Sequence, residues 1–386
     1  MVIRPSVPRL RQPVNKQDLP IDRFRVQWHG LDVGEKSAMK IVVDAMGGDH
    51  APGVVIDGSV RAARELDVEI VLVGPEETIR RELARHNNGA GLPISIVHAS
   101  QVVGMHEHTM AVKEKKDSSV VVGIRLVKEG QADAFMTAGN SGAGMAAALF
   151  GLGRIRGIER PAFCTMYPAA PNRCLLLDMG ANTDPKPEHI VQNALMGSLY
   201  AERVMGIPKP RVGLVSNGEE ADKGSLLVRD AYKLLAAGPL NFVGNIEGKD
   251  ISRDKADVIV TDGFTGNVII KLSEGILSFL VKYLARQFTG GLLNKLALVL
   301  MIPGALLLIP GLLLMLPSAL ALRRKIDWRE YGAAPVLGVD GVVLIGHGRS
   351  DAKAIFGAIR AAKAAVAGHV VQAIKEGLAA QKELSA

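Results

Sequence analysis

Short apolar runs that break off into glycine-rich polar loops, each followed by a helically spaced segment, recur along most of this chain. The first is KIVVDAM, which ends in GGDHAPG and leads into VVIDGSVRAAREL. VEIVLVG with EETIRRELARH repeats the unit, as do ADAFMTAG with MAAALFGLG, and ADVIVTD with a helical stretch from about Val268 to Arg286. A short apolar run bounded by glycine reads as a buried strand, and apolar residues three and four apart read as a helix face. Strands alternating with helices predict a mainly parallel sheet covered on both faces, an α/β three-layer fold. Right-handed crossovers would set the strand-to-helix loops along one edge of the sheet, where ligands gather in open α/β folds. ISIVHA, RVGLVS, NFVGNI and GVVLIG supply further strands, and DSSVVVGIRLVKEG and the stretch His189 to Met205 further helices. FCTMYP and CLLLDMG, separated only by AAPNR, read as a strand pair around a turn.

Of the 386 residues 48% are hydrophobic, enough to fill the core of one large domain or of two smaller ones. The formal net charge of +7 attracts anions: acidic lipid headgroups, an acidic carrier protein and nucleic acid would all satisfy it. Only 4% of residues are aromatic, and no zinc-finger or homeodomain pattern occurs, so nucleic acid is not an expected partner. Cys164 and Cys174 lie in apolar strand-like runs outside any CxxC pattern, which predicts buried, inert thiols in a reducing cytoplasm. Residues 1–38 carry scattered prolines and arginines without periodicity or an apolar signal core, and are expected to form a disordered or loosely attached leader. Met39 stands directly before the first strand and is a second candidate start; residues 39–386 read as a single domain.

Three of the loops share one design. DAMGGDHAPG, TAGNSGAG and TDGFTGN each follow a strand and open a helix. Glycine lets the backbone approach a ligand, and a helix N-terminus offers free N–H groups and partial positive charge to an anion. Tight βα turns need glycine as well, so one such loop alone says little. Together they carry Asp49, His50, Asn140, Ser141, Asp262, Thr265 and Asn267. Neither a P-loop nor a clean GxGxxG is present, which excludes the usual nucleotide signatures. Polar groups after other strands fit either a site or ordinary caps: Asp178, Asn182 and Asp184; Asn217, Glu219, Glu220 and Lys223; Asn245, Glu247 and Lys249. In MHEH, His106 and His108 are two apart, unlike the helical pair of a zinc protease, and are expected to be exposed loop histidines; no metal is implied.

Leu296 to Leu322 is uncharged and flanked by Lys295 and by Arg323, Arg324 and Lys325. Its length would allow a membrane span. Pro303, Pro310 and Pro317 oppose an unbroken helix, at about 3 kcal/mol for each interior proline. Three readings remain for an insertion at about 290–326: a shallow or re-entrant hairpin at the membrane anchored by its basic flank, a true span, or a buried dimer-interface or core element.

The motifs KIVVDAMGGDHAP, KEKKDSSVVV, TAGNSGA, LDMGANTD, VSNGEEADKG, GNIEGKDI, DGFTGNVIIK, YGAAPVLGV and HGRSDAKA run in order from Met39 to about Ala367. In this the chain resembles the bacterial phosphate acyltransferases of phospholipid synthesis, which act on acyl-acyl-carrier protein and phosphate. It departs from their pattern at His108, Lys113 and Ser225–Leu226. The resemblance implies a Rossmann-like α/β/α fold related to the phosphotransacetylases and to isocitrate and isopropylmalate dehydrogenases. It also implies a homodimer, no cofactor, and a cytoplasmic protein peripherally associated with the membrane. The acyl-phosphate product would pass to an integral glycerol-3-phosphate acyltransferase.

Phosphorolysis of a thioester needs the nucleophile held in line and the oxyanion stabilised. Phosphate is therefore expected between the loops Gly47–His50, Asn140–Gly142 and Gly263–Asn267, with Asp44, Gly48, Ser141, Asn182, Glu219, Asn245, Glu247, Asp262, Thr265 and Gly266 lining the site. His50, Asp49, Lys223 and Asn217 are the catalytic candidates, Lys223 as charge partner and His50 as proton donor to the leaving thiolate or, equally, as a cap of the helix after Pro52. The competing functions are a phosphotransacetylase-like enzyme using acyl-CoA, a dehydrogenase, for which no nucleotide or metal signature is found, and a membrane-bound scaffold without activity.

Overall fold

The computed structural model describes residues 39–289 and 327–385, with isolated positions between them (291, 294, 300, 311, 313–318 and 320). The leader to residue 38, and most of Leu296 to Leu322, lie outside the described residues, and so do the expectations placed on them.

One 11-stranded sheet organises the described chain, in the order β3-β2-β1-β4-β11-β10-β5-β6-β9-β7-β8. The strands are β1 (Lys40–Asp44), β2 (Glu69–Gly74), β3 (Ile94–His98), β4 (Ala134–Thr137), β5 (Ala162–Pro168), β6 (Arg173–Leu177), β7 (Val212–Val215), β8 (Phe242–Ile246), β9 (Val258–Val260), β10 (Ala333–Leu337) and β11 (Val342–Gly346). Ile41, Val42 and Val43 are all fully buried, as continuous apolar strands covered on both faces must be. The helices are α1 (Gly53–Glu65), α2 (Glu76–Leu83), α3 (Ala111–Glu114), α4 (Ser119–Lys128), α5 (Ser141–Gly151), α6 (Pro187–Met205), α7 (Leu226–Ala237), α8 (Gly263–Thr289), α9 (Ala352–Ala367) and α10 (Val370–Ser385). Local chemistry sets their ends. Asn140, Ser225 and Asp351 cap α5, α7 and α9 by accepting from the amides of Ala143, Val228 and Ala354. Gly206, at φ 69°, closes α6 in the left-handed conformation that favours glycine.

Strand direction decides where loops can meet. β1, β2, β3, β4 and β11 are mutually parallel. β10 is antiparallel to both β11 and β5, and β5 is antiparallel to β6. β6, β9, β7 and β8 then run parallel to one another. Three successive reversals leave the second block running opposite to the first. The carboxyl ends of β1, β4 and β11 lie on one edge of the sheet, and those of β6, β9 and β7 on the other. The expectation that all these loops share one edge is corrected by the β5–β6 hairpin and by β10, because the four-residue turn at 169–172 cannot make a parallel crossover.

Two helices nevertheless share one face. Side chains alternate across a strand, so Phe163 and Tyr167 of β5 point the same way. Phe163 packs with Val336, Val343, Ile345 and the alanines of α5. Tyr167 packs against the cluster that holds Cys174, Leu176 and Ile259, as do Ile269 and Ile270 of α8. Phe163 and Thr165, half-buried, lie on the strand between those helices. The opposite face is covered by α1 and α9 over β1, β4 and β11, and by α6 and α10 over β6 and β9.

Candidate active site

On the first edge three loops touch. Asp44 ends β1 with its carboxyl buried; it accepts from Thr137 Oγ1 at 2.8 Å and from Met46 N at 3.1 Å. Burial raises its pKa even so, outweighing the hydrogen bonds from Ser119 and Thr137 that lower it. Thr137 Oγ1 in turn accepts from Gly139 N at 2.9 Å. Gly47 fits because it has no side chain: a Cβ there would lie 2.6 Å from Thr137 Oγ1 and 2.7 Å from Gly139 N. Gly48, at φ 116°, turns the chain so that Asp49 N donates to Gly348 O, in the loop after β11, at 2.7 Å.

Asn140 joins this group to a fourth segment. Its Oδ1 accepts from Ala143 N at 3.1 Å, while its Nδ2 donates to Met105 O at 3.2 Å and Glu107 O at 2.8 Å. The loop carrying MHEH is thereby held beside the start of α5, and Lys115 fixes it further through Glu107 and Val102 O. A Cβ on Gly142 would lie 2.6 Å from Thr109 Oγ1. The amides of Ser141 and Gly142, in the first turn of α5, have no acceptor within the helix, which is the condition for binding an anion there. His50 and Asp49 are exposed at this edge. The capping role considered for His50 does not occur: Pro52 is the N-cap of α1 and no side chain caps it.

The loop Gly263–Asn267 lies elsewhere. β4 and β9 are five strand spacings apart, roughly 24 Å at about 4.8 Å each, and their ends lie on opposite edges. A single phosphate, which one helix's first turn can hold, does not bridge them. The start of α8 is also already satisfied. Asp262 accepts from Thr265 N at 2.8 Å and Thr265 Oγ1 at 2.7 Å, and Gly263 N donates to Asn182 O at 2.7 Å. Asp178 is fully buried behind it and accepts from the amides of Gly180, Ala181, Asn182 and Phe163. A Cβ on Gly266 would meet Asp178 O at 1.8 Å, and Asn267 flanks Gly180. Asn182, Asp262, Gly263, Thr265, Gly266 and Asn267 thus form a packed junction rather than one cradle with Asn140, and a carboxylate capping α8 disfavours a second anion there.

A third group follows β7 and β8. Asn245, buried, donates through Nδ2 to Glu220 O at 2.7 Å. Lys255 binds Glu219 at 2.7 Å and Asp250 at 2.9 Å, and Glu247 pairs with Lys249. Asn217 and Lys223 are exposed on the loop after β7, six strand spacings or roughly 29 Å from β4. Lys223 is therefore not placed as a charge partner at Asn140.

Both cysteines are buried, and burial pushes the Cys164 thiol up strongly and that of Cys174 to about 12, so neither is a ready nucleophile. His106 and His108 are exposed, and among the described residues no group of three or more His, Cys, Asp or Glu side chains could hold a metal ion. Thr137, Thr109, Ser119, Lys115 and His347 are among the side chains at the first edge that the sequence did not single out. Thr137 is the last residue of a buried strand, and that position was its one available signal.

One helix connects the two edges. α8 starts beside Asn182, packs over β6 and β9, and donates or accepts at Tyr167 through Ser273 at 2.7 Å. Glu274 then pairs with Arg349, in the loop after β11, at 3.1 Å. Eleven residues of helix span about 16 Å, the length of a five-residue strand. Beyond Glu274 the helix leaves the sheet, with Ile276, Leu277, Phe279, Leu280, Val281, Tyr283 and Leu284 all exposed.

Relatives of the chain agree with this architecture. A family described as "Fatty acid synthesis protein" matches residues 39–373. The phosphate acyltransferase of Desulfitobacterium hafniense (strain Y51) is 47% identical over 342 residues, covering 88% of this chain and 97% of that one. That of Desulforamulus reducens is 49% identical over 341 residues, covering 88% and 97%. In fold the chain is similar to a phosphotransacetylase from Streptococcus pyogenes, at TM-score 0.52 and 16% identity over 88% of this chain and 94% of the other. A branched-chain phosphotransacylase from Enterococcus faecalis V583 gives TM-score 0.52 and 13% identity over 85% and 99%. The chain, an α/β protein of the phosphotransacetylase fold, belongs to the phosphate acyltransferase family.

Proposed function

We propose that this enzyme moves a fatty acyl group from the thioester of an acyl-carrier protein to inorganic phosphate, giving an acyl-phosphate for phospholipid synthesis. The observation that carries the reading is the first edge itself: the amides of Ser141 and Gly142 have no acceptor within α5, and on the same edge the loop after β11 is tied through Arg349 to α8, whose continuation presents a long apolar surface. Phosphate, which carries about −1.5 to −2 charges near neutral pH, needs desolvation and alignment more than a base. Its oxygen attacks the thioester carbonyl carbon, the C–S bond breaks, and the sulfur takes its proton from His50. The net charge of +7 suits an acidic carrier protein.

The exposed outer half of α8, with Leu313, Leu314, Met315 and Leu316 also exposed, supports a membrane surface as a further partner. Among the described residues no single helix is long and apolar enough to cross a membrane. The same apolar surface supports a homodimer, in a cytoplasmic protein at the membrane periphery. An integral glycerol-3-phosphate acyltransferase would consume the product.

The test is direct. Purified protein is given palmitoyl-acyl-carrier protein or palmitoyl-CoA with inorganic phosphate, and the acyl-phosphate is trapped with hydroxylamine. Phosphate-dependent hydroxamate from the carrier thioester is expected. Turnover of the CoA thioester alone would identify a phosphotransacetylase-like enzyme, and no product from either donor would remove the activity.

A further inference from the structure

Asn140 has no hydrogen left to offer a ligand. Its Oδ1 accepts from Ala143 N at 3.1 Å, and its Nδ2 donates to Met105 O at 3.2 Å and to Glu107 O at 2.8 Å. The amide can sit only one way round, since the cap needs an acceptor and the two carbonyls need donors. One side chain thereby fixes both the first turn of α5 and the loop 105–107 beside it. The turn leading into α5 is held from its other side, because Gly139 N donates to Thr137 Oγ1 at 2.9 Å. Asn140 is half-buried, whereas Ser141 is exposed. Ser141 N and Gly142 N have no acceptor among the described residues.

Charge separates this helix start from its neighbours. α1, α2, α4 and α9 also begin on the edge where β1, β2, β3 and β11 end, and each has a carboxyl group at its start. Asp351 caps α9 through Ala354 N at 2.9 Å, and Glu76 and Glu77 lie in the first turn of α2. Ser119, first in α4, hydrogen-bonds to Asp44, and a Cβ on Gly53, first in α1, would lie 3.7 Å from Glu82 Oε2. α5 has no acid in its first turn and an uncharged cap. Glu107, on the loop that Asn140 holds, is paired with Lys115 at 2.5 Å. A carboxylate at a helix start compensates the partial positive charge there and repels a second anion. A carboxamide caps as well and leaves that charge for a ligand.

We propose that Asn140 is the positioning and selectivity residue of the phosphate site: it touches no substrate, sets the Ser141 and Gly142 amides in place, and by staying uncharged reserves the start of α5 for phosphate. The inference rests on the phosphate site of the reaction proposed above. Asparagine meets all three demands at this position. Aspartate of the same shape would cap the helix, but it cannot donate to Met105 O and Glu107 O, and it sets a negative charge beside the incoming anion. Serine would cap without charge but give up both carbonyl bonds.

The full chain and its Asn140→Ser and Asn140→Asp variants are titrated with inorganic phosphate alone by calorimetry, then assayed with palmitoyl-acyl-carrier protein, phosphate and hydroxylamine. Both variants should keep a cooperative melt, since serine caps α7 and aspartate caps α9 in this fold. Asn140→Ser should weaken phosphate binding and raise KM for phosphate about three- to tenfold, through a looser first turn. Asn140→Asp should weaken both roughly 10²-fold, the effect of a unit charge about 5 Å from the anion at an effective dielectric near 20. KM for the carrier thioester should stay within about threefold of wild type in both. Raising salt from about 0.05 to 0.5 M should narrow the gap between the two variants severalfold, as screening requires of a charge and not of a lost contact. An aspartate variant that binds phosphate within about threefold of the serine one overturns the proposal. So does a serine variant indistinguishable from wild type, a gap indifferent to salt, loss of the cooperative melt in either variant, or a wild-type chain that binds no phosphate. A wild-type chain that binds phosphate with these differences but forms no hydroxamate would instead sink the carrier-protein reaction and leave the role of Asn140 standing.

Discussion

Replacing Gly47 with alanine tests how closely the loops after β1 and β4 meet. The new Cβ would lie 2.6 Å from Thr137 Oγ1, 2.7 Å from Gly139 N and 2.8 Å from Asp44 Oδ2, all well inside the contact distance of about 3.5 Å. One of these atoms is backbone and another belongs to a buried carboxyl, so no side-chain rotation relieves the clash. Overpacking of this kind costs about 1–3 kcal/mol. Separating the loops also stretches the 2.8 Å bond from Thr137 to Asp44, and weakening a bond to a buried carboxyl adds about 1–2 kcal/mol. Together the loss is about 2–5 kcal/mol, which urea unfolding followed by circular dichroism would read as a lower midpoint at unchanged slope. The same shift moves Asn140 and the first turn of α5, so kcat/KM for phosphate should fall at least about tenfold. Adding Thr137→Ala should not rescue the variant, because Gly139 N and Asp44 Oδ2 remain within 2.8 Å. A Gly47→Ala protein within about 0.5 kcal/mol of wild type, with normal turnover, would refute the close approach.

His50→Ala should lower turnover by about one to two orders of magnitude, with the melting temperature little changed, because His50 is exposed and caps no helix; unchanged turnover removes it from proton donation. Deletion of Leu296 to Leu322 should release the protein from anionic liposomes in a flotation assay while the far-ultraviolet spectrum is kept, and retained flotation would assign membrane contact to another surface. Asp327 is held well below the ordinary carboxylate range by Arg329 at 2.8 Å and Lys353 at 2.9 Å. Its contribution is complete above the unfolded value of 3.8 and is lost as pH falls toward the depressed folded value. The melting-temperature gap between wild type and Asp327→Asn should therefore be open at pH 7 and narrow below 3.8; a constant gap would show that the charge has no part in it.

The strands that are apolar throughout and end in glycine could be read directly, since burial on both faces leaves a continuous signature in KIVVD, EIVLVG and ADVIV. β10 could not, because Pro335 sits in the middle of it and proline argues against a central strand. Missing β10 mattered more than its five residues suggest. With FCTMYP–AAPNR–CLLLDMG recognised as a hairpin, one reversal was already visible, but the direction of the second block depends on counting all three. Residue types at the first edge were legible from the loops around Gly47 and Asn140. The separation of Gly263–Asn267 and Lys223 from them was not, because glycine-rich turns look alike whichever edge they close. Asp262 capping its own helix, with Thr265 two bonds deep in that cap, is a chemically ordinary use of the same residues.

α8 is a single uninterrupted rod of 27 residues, about 40 Å long. Its foot is bolted to the junction around Asp178, its middle rests on the loop that holds His347, and its far half stands clear of the body. Whatever surface orients that outer half sets the tilt of Glu274 as well, so the greasy end of the molecule and the rim that carries Asn140 and Arg349 cannot be positioned independently.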